Sequence, residues 1–215
     1  MSRVTRLTIV LVLNVVLIAA LVIVGLTAHS IGVLAEGGDY LGDAAAVCVA
    51  LVAIWLSQRS PTTKRPLGYP NATKLAALVN GGWLLGLSIL IAMSASYRLL
   101  NHPSHVNGLP VFVVSGISAA LMLVGALILG GDADGDEGDL NVRAVLLDTA
   151  ADAAAAAGVA ITGGVIYATN RWYWLDPAVA LVIAVVIGYH ALGLVREVLT
   201  ALNDARPVPA TDESP

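Results

Sequence analysis

Six apolar stretches, each long enough to cross a bilayer as a helix, dominate this chain. A helix of about 20 residues spans the roughly 30 Å hydrocarbon core of a membrane. The 215 residues are 58% hydrophobic and only 12% charged, whereas soluble domains carry about 25% charged residues. We therefore predict an all-α integral membrane protein with six transmembrane helices. The predicted spans lie at about 7–27, 31–57, 75–99, 110–130, 141–168 and 176–202.

The distribution of basic residues predicts the orientation. Nine of the 11 Lys and Arg residues fall in segments on one side of the predicted membrane, together with both chain ends. Lys and Arg are enriched in cytoplasmic loops, so both termini are expected in the cytoplasm of a multi-pass cell-membrane protein. Residues 1–204 then form one transmembrane domain, with no soluble domain. The polar, proline-containing residues 205–215 are expected to be a disordered tail.

Other sequence features exclude some classes and mark one helix start. A formal net charge of −4 gives no sign of nucleic-acid binding. The single cysteine, Cys48, allows no intrachain disulfide. Asp176 followed by Pro177 is typical of an N-cap and a first helical position, so this pair is predicted to start the sixth span.

Two pairs of aspartates lie within the predicted spans. Asp39 and Asp43 in the second span, and Asp148 and Asp152 in the fifth, repeat the pattern D-x-x-x-D-A-A-A. Residues four apart share one face of a helix. At 1.5 Å per residue, all four lie roughly 10–18 Å into their spans, close to the membrane centre. Glu36 precedes Asp39 by one turn and is expected on the same stripe.

Carboxylates at this depth need compensation. Each ionised group costs about 2.5–3.5 kcal/mol at the centre of a helix in a bilayer, or on the order of 10 kcal/mol for four. Protonation, a bound cation, or alternation between the two would remove that cost. Clustered acids that hold protons when empty and release them when a divalent cation binds would exchange metal for protons. Aspartates that are simply protonated and bonded to a neighbouring helix are the alternative, and two matched pairs make it the weaker one.

Four ordered segments resemble the cation diffusion facilitator family. "HSIGVLAEGGDYLGDAAAV" is similar to its second helix and "RPLGYPNATKLAALVNG" to its second-to-third-helix segment. "NVRAVLLDTAADAAAAAGV" resembles the fifth helix and "WYWLDPAVALVIAVVIGY" the sixth. The resemblance implies a six-helix, usually dimeric transporter, not an enzyme, that moves divalent metals out of the cytoplasm in exchange for protons. It implies a tetrahedral metal site whose ligands are Asp39, Asp43, Asp148 and Asp152. No prosthetic group is implied, since the metal is the transported substrate.

This chain departs from the family pattern in its ligands and its length. Zinc-transporting members usually have histidine at one or both of the positions of Asp39 and Asp148, and an oxygen-only site suits manganese or ferrous iron. We still expect zinc, with cadmium also carried, because the affinity order of divalent metals favours zinc over manganese. The family's cytoplasmic C-terminal domain is expected to be absent. A homodimer would then be held by the membrane helices, whose small-residue faces permit close packing.

Several polar residues have no settled role. Glu36 would relay protons or release metal to the exterior, or it would simply line a wet outer cavity. His190, in the sixth span, is expected to pack by hydrogen bonding, with proton transfer as the alternative. His102 and His105 are expected to be solvated. The acidic residues of the 131–139 loop are also expected to be solvated, with cation gathering as the alternative; they are Asp132, Asp134, Asp136, Glu137 and Asp139.

Two competing functions are weaker. An intramembrane aspartyl protease would need a Gly-x-Gly-Asp motif, which this sequence lacks, and its dyad would leave two carboxylates unexplained. A non-transporting partner subunit of a metal transporter would have no need of all four aspartates.

Overall fold

The computed structural model describes residues 3–57, 72–101, 105–133 and 140–204, with side chains described at 15–49, 52, 74–101, 105–127, 147 and 149–203. These ranges contain no β-strand and form six α-helices. The helices are α1 (Arg3–Thr27), α2 (Ile31–Ser57), α3 (Ala72–Leu100), α4 (Gly108–Ala133), α5 (Leu140–Thr169) and α6 (Leu175–Asp204). Each predicted span lies within one helix, so the six-helix, all-α prediction is confirmed. The predicted tail at 205–215 lies outside the described residues.

Membrane-spanning character differs between the helices. Four described segments are long and apolar enough to cross a membrane: Lys74–Leu100, Gly108–Leu127, Thr149–Thr169 and Leu175–Asn203. In α1, the described side chains form a shorter apolar segment, Val15–Thr27. In α2, Glu36, Asp39 and Asp43 interrupt the apolar sequence within about two turns. The span that carries the first aspartate pair therefore has three acids close together.

The helices α4 and α5 are in backbone contact. A Cβ atom added to Gly163 would lie 2.5 Å from the backbone nitrogen of Phe112. A Cβ atom added to Gly108 would lie 2.5 Å from the carbonyl oxygen of Gly163 and from the nitrogen of Tyr167. Only glycine permits such an approach, which is how small residues join helices in a membrane. Helices α3 and α6 also pack against each other along their length. Helix α2 lies between this pair and the pair of α4 and α5.

Asp176 joins α6 to the start of α2. Its side chain is 1% exposed and accepts hydrogen bonds from the Ser30 hydroxyl and from the backbone nitrogens of Ile31, at 2.8 Å, and Gly32, at 3.3 Å. These two N–H groups belong to the first turn of α2, where intrahelical acceptors are lacking. Asp176 therefore caps α2 from another helix, together with Ser30, whose hydroxyl oxygen accepts a hydrogen bond from the Val33 nitrogen at 3.1 Å. The prediction that it caps its own helix was wrong, because α6 already begins at Leu175.

Neighbouring contacts fix the same end of the bundle. Arg98, in the last turn of α3, donates to the carbonyl oxygen of His29. His29 has a φ of 58°, which turns the chain sharply between α1 and α2. Buried side chains near the starts of three helices belong to one hydrophobic core: Ile31, Val33, Val111 and Ala180. Polar and apolar contacts therefore both stabilise the end of the bundle at which α2, α4 and α6 begin.

The close contact between α4 and α5 predicts a position-specific effect of a methyl group. Gly163→Ala should destabilise the protein by about 1–3 kcal/mol, since the new Cβ overlaps backbone that cannot move aside without separating the helices. Gly116→Ala is the matched control, because a Cβ there meets nothing within 4 Å. Thermal unfolding of both variants in detergent would measure the difference. Equal melting temperatures would contradict the proposed backbone contact.

Candidate functional site

A cavity of about 540 Å³ lies between α2, α5 and α6 and is closed on one side by Leu84 of α3. Its wall is largely aliphatic, and four polar side chains interrupt it: Asp39, Asp43, Asp152 and His190. A mostly apolar pocket with a few converging polar groups is the usual form of a small-ligand site. Here the polar groups are three carboxylates and one imidazole.

The structure brings together three of the four aspartates predicted as metal ligands. Asp39 and Asp152 are half-buried, and Asp43 is more exposed. They come from α2 and α5, which contact each other, so the two predicted pairs do approach across a helix boundary. Asp148 belongs to α5 one turn before Asp152, and its side chain lies outside the described residues.

The described carboxylates do not form a closed ligand set. Among the side chains that the structure describes, no three His, Cys, Asp or Glu residues are close enough together to hold a metal ion. Asp39, Asp43 and Asp152 therefore share a cavity without forming a coordination sphere. A metal bound by them would require the carboxylates to converge, or the fourth predicted ligand to contribute.

Small residues around the aspartates create the cavity and its packing. On α5, Ala151, Ala154, Ala155 and Gly158 form part of the wall, and their short side chains leave space in front of Asp152. On α2, a Cβ added to Gly42 would lie 2.5 Å from Cδ2 of Leu84. The glycine beside Asp43 thus lets α3 approach α2 and close the cavity. The alanines and glycines of the two motifs therefore have a packing role that their spacing alone did not reveal.

Glu36 does not line this cavity. Its side chain is 2% exposed, and its Oε2 accepts a hydrogen bond of 2.6 Å from the Ser115 hydroxyl of α4. Glu36 and Asp39 lie one turn apart on α2, but α4 covers Glu36, whereas the cavity opens at Asp39. The alternative in which Glu36 lines a wet cavity was wrong.

The histidines have different surroundings. His190 is an exposed side chain on the cavity wall, so the expectation that it packs within the protein was wrong. It also lines a second, adjoining cavity of about 840 Å³ that extends along α6 to Arg196. His105 stacks against Tyr173, with ring centroids 4.7 Å apart. His102 and the side chains of the 131–139 loop lie outside the described residues.

An acid-lined cavity within a bundle of membrane-length helices defines a class: integral membrane proteins with ionisable groups inside the bilayer, where such groups are usually functional. The particular family follows from comparison with known sequences. The chain belongs to the cation efflux family, whose transmembrane-domain model matches residues 7–203. The resemblance to cation diffusion facilitators is thereby confirmed, and the protein is a multi-pass membrane protein.

Relatives include metal transporters from several bacteria. The zinc transporter ZitB of Yersinia pestis is 32% identical over 185 residues, which cover 85% of this chain and 57% of the relative. The metal cation efflux system protein CzcD of Cupriavidus metallidurans is 29% identical over 201 residues, covering 94% and 62%. The cadmium, cobalt and zinc/H(+)-K(+) antiporter of Bacillus velezensis is 28% identical over 171 residues, covering 77% and 53%. The chain thus spans between 53% and 62% of the length of these relatives.

The position of His190 predicts sensitivity to a fixed positive charge. His190→Lys should weaken binding of a divalent cation in the cavity at least tenfold, because a permanent cation opposes the attraction of the aspartates across a poorly screened space. His190→Gln is the matched control, since it replaces the imidazole with a polar side chain that carries no fixed charge. Titration of the purified variants with zinc would compare their dissociation constants. Unchanged affinity in His190→Lys would place the cation site elsewhere.

Proposed function

We propose that this chain exports divalent transition-metal ions from the cytoplasm in exchange for protons. Zinc is the preferred substrate, with cadmium also carried, and the ion is held by Asp39, Asp43, Asp148 and Asp152. The observation that carries this proposal is the common cavity of Asp39, Asp43 and Asp152, contributed by two helices of a membrane bundle. The names of the relatives, which include a zinc transporter and a metal/proton antiporter, support the same choice.

The chemistry of the side chains explains why metal and protons would compete. Several carboxylates in a space of low dielectric repel one another, so they retain protons when no cation is present. A divalent ion replaces those protons because it binds the ionised oxygens directly. Metal loading and proton release are then one event. No prosthetic group takes part, and the metal enters the site as substrate.

Transport requires that the same site opens to each side in turn. In the proposed cycle, the site facing the cytoplasm loses protons and binds one metal ion. The helix bundle then rearranges, the opposite side becomes wet, and protons displace the metal. The second cavity, which shares His190, Leu84 and Ala151 with the first, supports a route between the site and the C-terminal half of α6. Residues 1–204 would form the transport domain, with both termini cytoplasmic.

The proposed assembly is a homodimer held by membrane helices. Large apolar side chains cover the outside of the bundle, among them Met93 at 66% and Leu127 at 68% exposed. The apolar composition of this surface is equally compatible with contact to lipid and with contact to a second copy of the chain. Crosslinking in native membranes would distinguish a dimer from a monomer.

A second candidate substrate is manganese or ferrous iron, carried by the same mechanism. It is favoured by the ligand set, since Asp39 stands where zinc-transporting members often have histidine and carboxylate oxygen suits harder ions. His190 does not remove this difference, because the described side chains do not bring it together with two acids at metal-binding distance. A non-transporting partner subunit remains the third candidate, and it predicts no flux by the purified protein.

Removal of a predicted ligand should abolish transport. Asp43→Ala and Asp152→Ala should each lower zinc flux into proteoliposomes at least 100-fold, since each removes a carboxylate that offsets the charge of the ion. Glu197→Ala, which removes an exposed acid of α6 outside the cavity, should transport normally. Size-exclusion profiles would show that all three variants remain folded. Full transport by either aspartate variant would refute the four-aspartate site.

Selectivity should follow the leading ligand of α2. Asp39→His should raise the ratio of zinc to manganese transport about tenfold, because imidazole favours zinc over the harder ion. Flux of each metal in the same proteoliposome preparation gives the ratio, and Asp39→Asn controls for the lost charge. An unchanged ratio in Asp39→His would show that this position does not determine the choice of metal.

A further inference from the structure

Glu36 is a buried acid that the proposed metal site does not use. It lies on α2 one turn before Asp39, and 2% of its side chain is exposed. One carboxyl oxygen, Oε2, receives the Ser115 hydroxyl at 2.6 Å. The other oxygen, Oε1, is fully buried and has no hydrogen-bond partner among the described residues. A buried polar atom left without a partner is rare in folded proteins and calls for an explanation.

The surroundings of Glu36 favour its neutral form. Among the described side chains, α1 and α4 present no ionisable group, and α4 contributes only the hydroxyls of Ser115 and Ser118. Leu21 of α1 packs beside Gly37, the next residue along the chain. No described cation faces the carboxyl. An ionised carboxylate that faces no cation is strongly disfavoured there, whereas a carboxylic acid is tolerated.

A strip of hydroxyl groups leads from Glu36 towards the aspartates of the cavity. Ser118 lies next to the Glu36 carboxyl, and its Oγ is 3.0 Å from the hydroxyl of Tyr40. Tyr40 is 6% exposed and lies close enough to Asp39 of α2 and Asp152 of α5 to interact with both electrostatically. The remaining acid near α2 is Asp176, whose carboxylate already accepts a hydrogen bond from the first turn of that helix. The ionisable groups facing the strip are therefore the cavity aspartates themselves.

We propose that Glu36 is a second proton-binding site, separate from the four aspartates, which gives up its proton when metal loads and regains one when metal leaves. The proposal rests on the proposed metal–proton exchange. Along the strip, the Glu36 O–H bond breaks as Ser118 gains a proton, Ser118 passes its own proton to Tyr40, and Tyr40 passes its own to a water molecule beside Asp39 and Asp152. Each hydroxyl gains and loses one proton, so Glu36 becomes an anion, the water becomes hydronium, and the proton leaves through the cavity. The positive charge of the bound metal stabilises the ionised Glu36.

The competing explanation is that Glu36 stays neutral throughout and only ties α2 to α4. Glutamine distinguishes the two explanations, because it has the size of the neutral acid and its amide oxygen can accept the Ser115 hydroxyl. It cannot exchange a proton. If Glu36 only bonds α2 to α4, the Glu36→Gln variant should keep proton-coupled transport. If Glu36 carries a proton, the variant should lose it.

The experiment compares two modes of zinc movement in proteoliposomes. Exchange of labelled for unlabelled zinc at equal pH needs no net proton movement, whereas net zinc transport driven by a pH gradient does. In Glu36→Gln we expect zinc exchange within twofold of the unaltered protein, a drop of at least tenfold in gradient-driven transport, and fewer protons moved per zinc. Glu197→Gln, the same change at an exposed site of α6, should match the unaltered protein in all three readouts.

Other outcomes would overturn the proposal. Unchanged proton-to-zinc stoichiometry in Glu36→Gln would make Glu36 a structural tie, and loss of zinc exchange together with gradient-driven transport would make it a positioning residue. If the glutamine variant does not fold, Glu36→Asp keeps an exchangeable proton and should retain coupling, while Ser118→Ala should slow it. Normal coupling in Ser118→Ala would exclude the strip. Absence of zinc flux in the unaltered protein would instead refute the proposed function.

Discussion

An ionisable or hydrogen-bonding group inside a bilayer must find its partner within the protein, since lipid offers none. This requirement explains the most specific contacts of the bundle. Asp176 is buried because two backbone N–H groups and a hydroxyl of another helix surround it. Glu36 is buried beside a serine. Asp39, Asp43 and Asp152 instead line a cavity, which water, protons or a cation can enter.

The architecture followed from the sequence because it depends on strong, local signals. The length of the apolar stretches predicted the number of helices. The repeated aspartate motif on α2 and α5 predicted a common site for four aspartates, of which Asp39, Asp43 and Asp152 line one cavity. These features can be predicted without knowledge of tertiary contacts. The bilayer sets the length of a span, and the helical repeat sets which residues share one side of a helix.

The partners of individual polar residues did not follow from the sequence. Residues 36 and 43 are seven apart, so at about 100° per residue they lie nearly on the same side of α2. Periodicity therefore could not reveal that α4 covers one while the cavity receives the other. Likewise, Asp176 before Pro177 has the local pattern of an N-cap, and only the packing of α6 against α2 shows which helix it caps. His190 was misjudged for the same reason, because its exposure depends on a cavity formed by three helices.

The distribution of these partners makes α2 the element on which the site depends. Its first turn is capped by α6, its next turn is bonded to α4 through Glu36, and its aspartates face α5 across the cavity. A shift of α2 would change the surroundings of all its acids together. The cap at Asp176 restrains such a shift at one end of α2. A movement that opens the cavity is therefore expected to pivot near this cap and to displace the aspartates more than the first turn.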